Sequence, residues 1–121
     1  MPAPSRRRPS RLRAGDDQLD ALADHLRHRG WDARVVHDRL GDVIDVRLDV
    51  RRPGSPAIEL LGSCTGIPCC EHWQAVRITD AGRAVWRGPA RECAESQLTM
   101  FVEDLLRRDD AGLAGRYTRL G

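Results

Sequence analysis

The chain has 121 residues, a net charge of +2 at pH 7 and 40% hydrophobic residues, so it is long enough for one compact domain and too short for two. No run of apolar residues approaches the roughly 18 needed to span a bilayer, and no apolar segment follows the Arg-rich N-terminus. These features indicate neither membrane insertion nor Sec secretion, and we expect a cytoplasmic protein.

The positive charge is concentrated in an N-terminal arm. All 20 basic residues are Arg, and five of them lie in the first thirteen residues, where there is no acidic residue. The other 15 Arg face 18 Asp and Glu, so the body is slightly acidic and any nucleic-acid binding should depend mainly on the arm. Because Pro, Ser and Arg dominate it, we predict a disordered arm over residues 1–15. Its candidate phosphate-binding residues are Arg6, Arg7, Arg8, Arg11 and Arg13.

The first regular element is a helix over residues 17–29, which Gly30 ends. Its apolar residues recur with helical spacing and form one stripe. His25 and His28 lie beside this stripe, and without a matching carboxylate cluster we interpret them as solvated residues. The stripe consists of Leu19, Leu22, Ala23 and Leu26.

Three strands follow the helix. The segment DVIDVRLDVRR, residues 42–52, alternates apolar and charged side chains, and a period of two predicts a strand with one buried face. Its charged face indicates an antiparallel sheet with one side open to water. The preceding ARVVHDR, residues 33–39, can pair with it through a short turn, and the turn at residues 53–56 leads to a third strand over residues 57–62.

A loop rich in cysteine comes next. The stretch GSCTGIPCCEH, residues 62–72, holds three Cys and one His, and its spacing allows three zinc ligands. The fourth ligand would have to be Cys93, which helix geometry of about 100° per residue places away from the apolar stripe of the second predicted helix. The candidate metal ligands are Cys64, Cys69, Cys70 and His72.

The loop has two other interpretations. Cys70, Glu71 and His72 place a nucleophile, a carboxylate and a base side by side, which are the residue types of a thiol enzyme. Neighbouring side chains of an extended chain point in different directions, however, and free cysteine is among the most buried residue types. We therefore favour cysteines that pack under a loop, and expect no metal and no cofactor. A zinc protein and a thiol protein remain the alternatives.

Two further strands, over residues 73–79 and 84–86, are joined by a hairpin turn that places Gly82 where a positive φ is needed. The three Trp residues of the chain are isolated at strand positions, which is typical of packing. A platform that stacks the bases of single-stranded nucleic acid would combine aromatic residues with surrounding basic charge.

Part of this region resembles a known DNA-binding family. The stretch VRITDAGRAVWR, residues 76–87, is similar to the end of the wing in winged-helix regulators of the MarR type. The resemblance covers about twelve residues and implies a DNA-binding regulator in which Thr79 caps a helix through Ala84 and Val85. The helix-turn-helix that such a regulator needs before its wing would have to replace the alternating strand.

A second helix is predicted over residues 89–108, because Pro89 is favoured at a first helical position and apolar residues then lie on one face. The tail over residues 110–121 holds little apolar content, so we predict that it is mobile. Residues 16–109 then form a single α+β domain of order α-β-β-β-β-β-α. We predict a two-layer sandwich, an antiparallel sheet of four to five strands with an N-terminal and a C-terminal helix on one face. Its predicted core is Leu19, Leu22, Leu26, Ile44, Val46, Leu48, Val76, Ile78, Leu98, Phe101 and Leu105.

Functional motifs are scarce in this chain. It contains neither a glycine-rich phosphate loop nor G-x-S-x-G, so nucleotide hydrolysis and serine-hydrolase chemistry have no support. We expect a small non-enzymatic module that binds a protein partner or serves as a regulator, without a membrane. The alternatives are a nucleic-acid-binding regulator that uses the arm, and a zinc or thiol protein that uses the Cys64–His72 loop.

Overall fold

The computed structural model describes residues 10–64, 67–68 and 70–121, which form one antiparallel sheet with helices before and after it. The elements are α1 (Ser10–His28), β1 (Asp32–Leu40), β2 (Val43–Arg51), β3 (Ala57–Cys64), β4 (Ile67–Pro68), β5 (His72–Thr79), β6 (Gly82–Ala90), α2 (Glu95–Arg107), α3 (Asp110–Ala114) and β7 (Thr118–Arg119). No helix within these residues is long and apolar enough to cross a membrane.

The sheet has the strand order β1-β2-β3-β5-β6-β7, and β4 pairs with β3 beside this path. Its antiparallel pairing between two helices confirms the predicted α+β class, and all five predicted strands are present. The predicted count of four to five strands is wrong, because β4 and β7 add two short strands. Each has two residues, too few for an alternating pattern to be visible in the sequence.

The core lies between the helices and one face of the sheet. Across β2, β3, β5 and β6 the paired residues Leu48, Leu60, Ala75 and Trp86 form one buried row. Ile44 and Ile78 of the predicted core are half-buried, and the other predicted core residues are buried. The three Trp residues are buried as well, as the packing interpretation predicts.

The predicted face of β5 is wrong. Val76 pairs with Glu59 and Val85, which places it on the side of the sheet opposite to the helices. Trp73, Ala75 and Arg77 occupy the helix side instead. We name the side that carries Val76 the open face. The misassignment arose because both sides of β5 carry apolar residues, so period two alone could not identify the inner one.

The segment between β6 and α2 differs from the prediction. Helix α2 begins at Glu95, since residues 89 and 90 still belong to β6. A Cβ added at Gly88 would lie 2.5 Å from Cε2 of Phe101, so the absent side chain lets α2 approach the sheet. Ala84 and Val85 also belong to β6, so the helix implied by the winged-helix resemblance is absent. Gly82 has φ 127°, as the predicted hairpin requires.

Both ends of the domain extend beyond the predicted limits. Helix α1 begins at Ser10, so residues 10–15 of the predicted arm belong to it, and residues 1–9 lie outside the described chain. The predicted mobile tail packs on the domain. Leu113 is fully buried, and the ring of Tyr117 meets that of Phe101 edge to face with centroids 5.0 Å apart. The amide of Leu120 donates to the carbonyl of Val85 at 2.7 Å, which ties the chain end to β6.

Candidate functional site

The cysteine loop is the first candidate that the sequence suggests. Cys64 is the last residue of β3, His72 is the first residue of β5, and Cys69 lies outside the described residues. The thiol of Cys70 is half-buried and donates to the carbonyl oxygen of His72 at 2.7 Å. Within the described part of the chain, no three His, Cys, Asp or Glu side chains are grouped to hold a metal ion.

Cys93 does not occupy the position that helix geometry predicts. It precedes α2, in the turn after β6, where its amide donates to the carbonyl of Ala90 at 3.0 Å. The side chain is half-buried and packs against the core. Burial raises the pKa of the Cys93 thiol, and since the thiolate is the nucleophilic form, this environment disfavours a reactive cysteine. The argument that Cys93 points away from the core is therefore wrong.

Arg91 connects the strands on either side of the cysteine loop. The guanidinium of Arg91 lies over the ring of Trp73, with its Cζ 4.3 Å from the centroid, and its Nη1 donates to the carbonyl of Gly62. The amide of Arg91 donates to the carbonyl of Glu71 at 3.0 Å. These contacts join β3, β5 and the turn after β6, a role for Arg91 that neither its spacing nor its neighbours in the sequence indicate.

The structure describes only part of the Arg-rich arm. Arg6, Arg7 and Arg8 lie outside the described residues, and Arg11 and Arg13 fall in the first turns of α1. Their role in nucleic-acid binding stays a prediction. The two helical histidines, His25 and His28, are exposed, in agreement with the interpretation that they are solvated.

The open face carries charge pairs over apolar residues. Arg47 on β2 donates to Asp38 on β1 and, at 2.9 Å, to Asp49. The contact with Asp38 is the main cause that raises the pKa of Arg47, so the group stays charged. On the other half of this face, Arg83 reaches from β6 across β5 to Glu59 on β3 at 3.1 Å.

Strand β1 forms one edge of the sheet. It has nine residues and, among the described strands, pairs with β2 alone. A two-residue turn joins Leu40 to Val43, and in such a hairpin the backbone groups of alternate residues point away from the partner strand. The backbone N–H and C=O groups of Arg39 point outward, because Arg39 directly precedes Leu40, which pairs with Val43 across the turn.

The tip of this hairpin exposes apolar side chains. Leu40 is 69% exposed and Val43 is 43% exposed, and the two residues pair across the turn on the open face. Sequence reasoning assigned Leu40 to a turn and Val43 to the start of the following strand. The sequence nevertheless contained a sign of this exposed apolar tip. Leu40 and Val43 flank a turn that contains Gly41, and neither belongs to the apolar face that alternation predicts to be buried.

Comparison with known proteins adds no functional assignment: no family model, no curated protein and no solved structure matches this chain.

Proposed function

We propose that this chain is a small, non-enzymatic cytoplasmic module that binds a protein partner by adding a strand of that partner along β1. The observation that carries the proposal is the length and exposure of this edge. Nine residues of extended backbone lie at the end of the strand order, beside a single described strand, and near the start of β1 the outward carbonyl of Ala33 already accepts a hydrogen bond from Arg27 Nε at 2.7 Å. The outward amides and carbonyls of such an edge are a template for a further strand.

The hairpin tip and the charged residues of β1 would give this edge its specificity. Exposed Leu40 and Val43 provide an apolar contact at one end of the strand. Asp32, Arg34 and Asp38 carry both signs of charge along it, so a partner strand with the complementary order of charges would be selected. Mixed charge also discourages edge-to-edge aggregation of the protein with itself.

A proline at an outward position tests the strand-addition mechanism. We expect Arg39→Pro to remove one outward N–H without a loss from the β1–β2 ladder, and so to abolish capture of a partner from the native cell. Arg39→Ala is the matched control, because it removes the same charge and keeps the amide. Binding is measured by pull-down with and without nuclease, which separates protein partners from nucleic acid.

The two variants give distinct outcomes. If both variants lose the partner equally, the charge of Arg39 and not its amide is recognised, and strand addition at this position is wrong. Capture that disappears on nuclease treatment contradicts a direct protein partner and favours the nucleic-acid alternative. Thermal melts of both variants check that the hairpin is intact.

A further inference from the structure

A basic cavity lies at the end of the molecule opposite to the hairpin tip. Its volume is about 520 Å³, within the range of small-ligand sites, and it opens between the turn that joins β2 to β3 and the C-terminal end of α2. Asp109 is the one carboxylate of its lining. Its guanidinium groups are those of Arg52, Arg77, Arg107 and Arg108.

Arg77 is the buried part of this cavity. It is 9% exposed, its Nε donates to the carbonyl of Leu105 at 2.9 Å, and its Nη2 donates to that of Arg108 at 2.8 Å. Its Nη1 donates to Asp110 Oδ1 at 2.8 Å. Carbonyl groups at a helix C-terminus repel anions, and Arg77 compensates for this by satisfying two of them.

Arg52 and Trp31 supply hydrogen-bond donors without acceptors. The guanidinium of Arg52 is held over the Trp31 ring, with Cζ 4.8 Å from the centroid, and has no acidic partner among the described residues. Trp31 lines the same cavity and is 5% exposed, and its indole Nε1–H has no acceptor within the described chain, as is also true of Trp73 and Trp86. A buried donor without an acceptor is costly unless a ligand or water satisfies it.

The carboxylates around the cavity neutralise its arginines only in part, and one of them, Asp110, pairs with Arg77 at 2.8 Å. Glu103 is shared between Arg29 and Arg107. In the same way Asp104 is shared between Arg108 and Arg116. Asp109 accepts a hydrogen bond from the amide of Gly112 at 2.8 Å, as the N-cap of α3. This end of the molecule therefore keeps an excess of positive charge.

From these contacts we infer that the cavity binds a phosphate group. Arg52 and Arg107 would donate charged hydrogen bonds to the phosphate, and Arg77 would form the buried part of the cavity wall, held in place by its own hydrogen bonds. The planar guanidinium matches two phosphate oxygens, so an anion with several oxygens in this geometry is favoured over a monoatomic anion. A small phosphorylated molecule and the backbone of a nucleic acid would present the same chemistry. The inference does not depend on strand addition at β1.

The test is a titration of the full chain with inorganic pyrophosphate at constant ionic strength. The indole N–H signal of Trp31 in a nitrogen–proton NMR spectrum is the readout, because this residue lines the cavity. We expect a saturable shift of that signal. Arg52→Gln should weaken the binding about tenfold or more, as expected for the loss of a charge-assisted hydrogen bond.

Arg119→Gln is the matched control, since it removes an exposed arginine on β7 that does not line the cavity. It should leave the affinity within about twofold of the parent. A shift that sodium chloride reproduces at the same ionic strength, or equal effects of the two variants, overturns the proposal. If pyrophosphate binds in this way, parallel titrations with ATP and with duplex DNA distinguish a small ligand from a nucleic-acid backbone.

Discussion

At the scale of single residues, Arg77 shows how a charged side chain can be part of a core. It lies on the helix side of β5 in the row of Ile58 and Ala84, where alternation would place an apolar residue. Its guanidinium makes three hydrogen bonds to the α2–α3 region, which satisfies the group and fixes the direction in which the chain leaves α2. Sequence reasoning assigned Val76 and Ile78 to the core instead, because it treats Arg as a surface residue.

This role predicts an unequal effect of two arginine substitutions. Arg77→Met should lower the free energy of unfolding by about 3 kcal/mol, because the carbonyls of Leu105 and Arg108 and the carboxylate of Asp110 lose their partner. Arg83→Met is the control. Its side chain is 61% exposed and pairs with Glu59 on the surface, so the loss should be below about 1 kcal/mol. Urea unfolding measures both, and similar losses would show that Arg77 is no more than a surface ion pair.

At the scale of elements, strands that alternate strictly were predictable, and the junction between β6 and α2 was not. The β2 strand has charge on every second residue, so its bounds followed from the sequence. Pro89 instead suggested a helix start, although it lies near the end of β6. The deciding factor was tertiary: Gly88 leaves room for the ring of Phe101, and extended backbone there places α2 over the sheet.

The close contact between Gly88 and Phe101 predicts that a methyl group added at residue 88 destabilises the fold. In Gly88→Ala the new Cβ would stand 2.5 Å from the Phe101 ring, so the helix or the ring must move. We expect a loss of about 1–3 kcal/mol in the free energy of unfolding, the usual cost of overpacking. Gly115→Ala serves as the comparison, because its new Cβ would have no neighbour closer than 3.7 Å. A Gly88→Ala protein as stable as the Gly115→Ala protein would refute the packing argument.

At the scale of the whole molecule, the sequence predicted the α+β layout and missed what joins its distant parts. The basic cavity lies near three arginines that are far apart in the chain, Arg29, Arg52 and Arg107. Because the body is slightly acidic as a whole, its net charge did not indicate that these arginines come together. The C-terminal tail was missed as well. It contains too few apolar residues for a periodic pattern, and it is held by isolated contacts of Leu113, Tyr117 and the backbone of Leu120 with distant elements.

The packing of this tail can be measured through the pH dependence of the free energy of unfolding, because the tail carries Tyr117. Burial raises its pKa, and a hydrogen bond of 2.6 Å from its hydroxyl to Asp104 Oδ2 raises the pKa further. A group whose pKa is higher in the folded state stabilises the fold below its unfolded pKa, near 10 for Tyr, and loses this contribution as pH rises above that value. The chain contains a single Tyr and no Lys, Arg stays charged in this range, and the comparison with Tyr117→Phe cancels the contribution of the four Cys.

We therefore predict that the free energy of unfolding falls more steeply above about pH 10 in the parent than in Tyr117→Phe. The difference should be below about 1.4 kcal/mol per pH unit, because water screens part of the half-buried ring. Urea unfolding at a series of alkaline pH values measures the slopes. Tyrosinate absorbance of the native protein should also rise only at a pH well above the midpoint in denaturant. Equal slopes and equal midpoints would mean that the tail does not hold Tyr117 against α2 in solution.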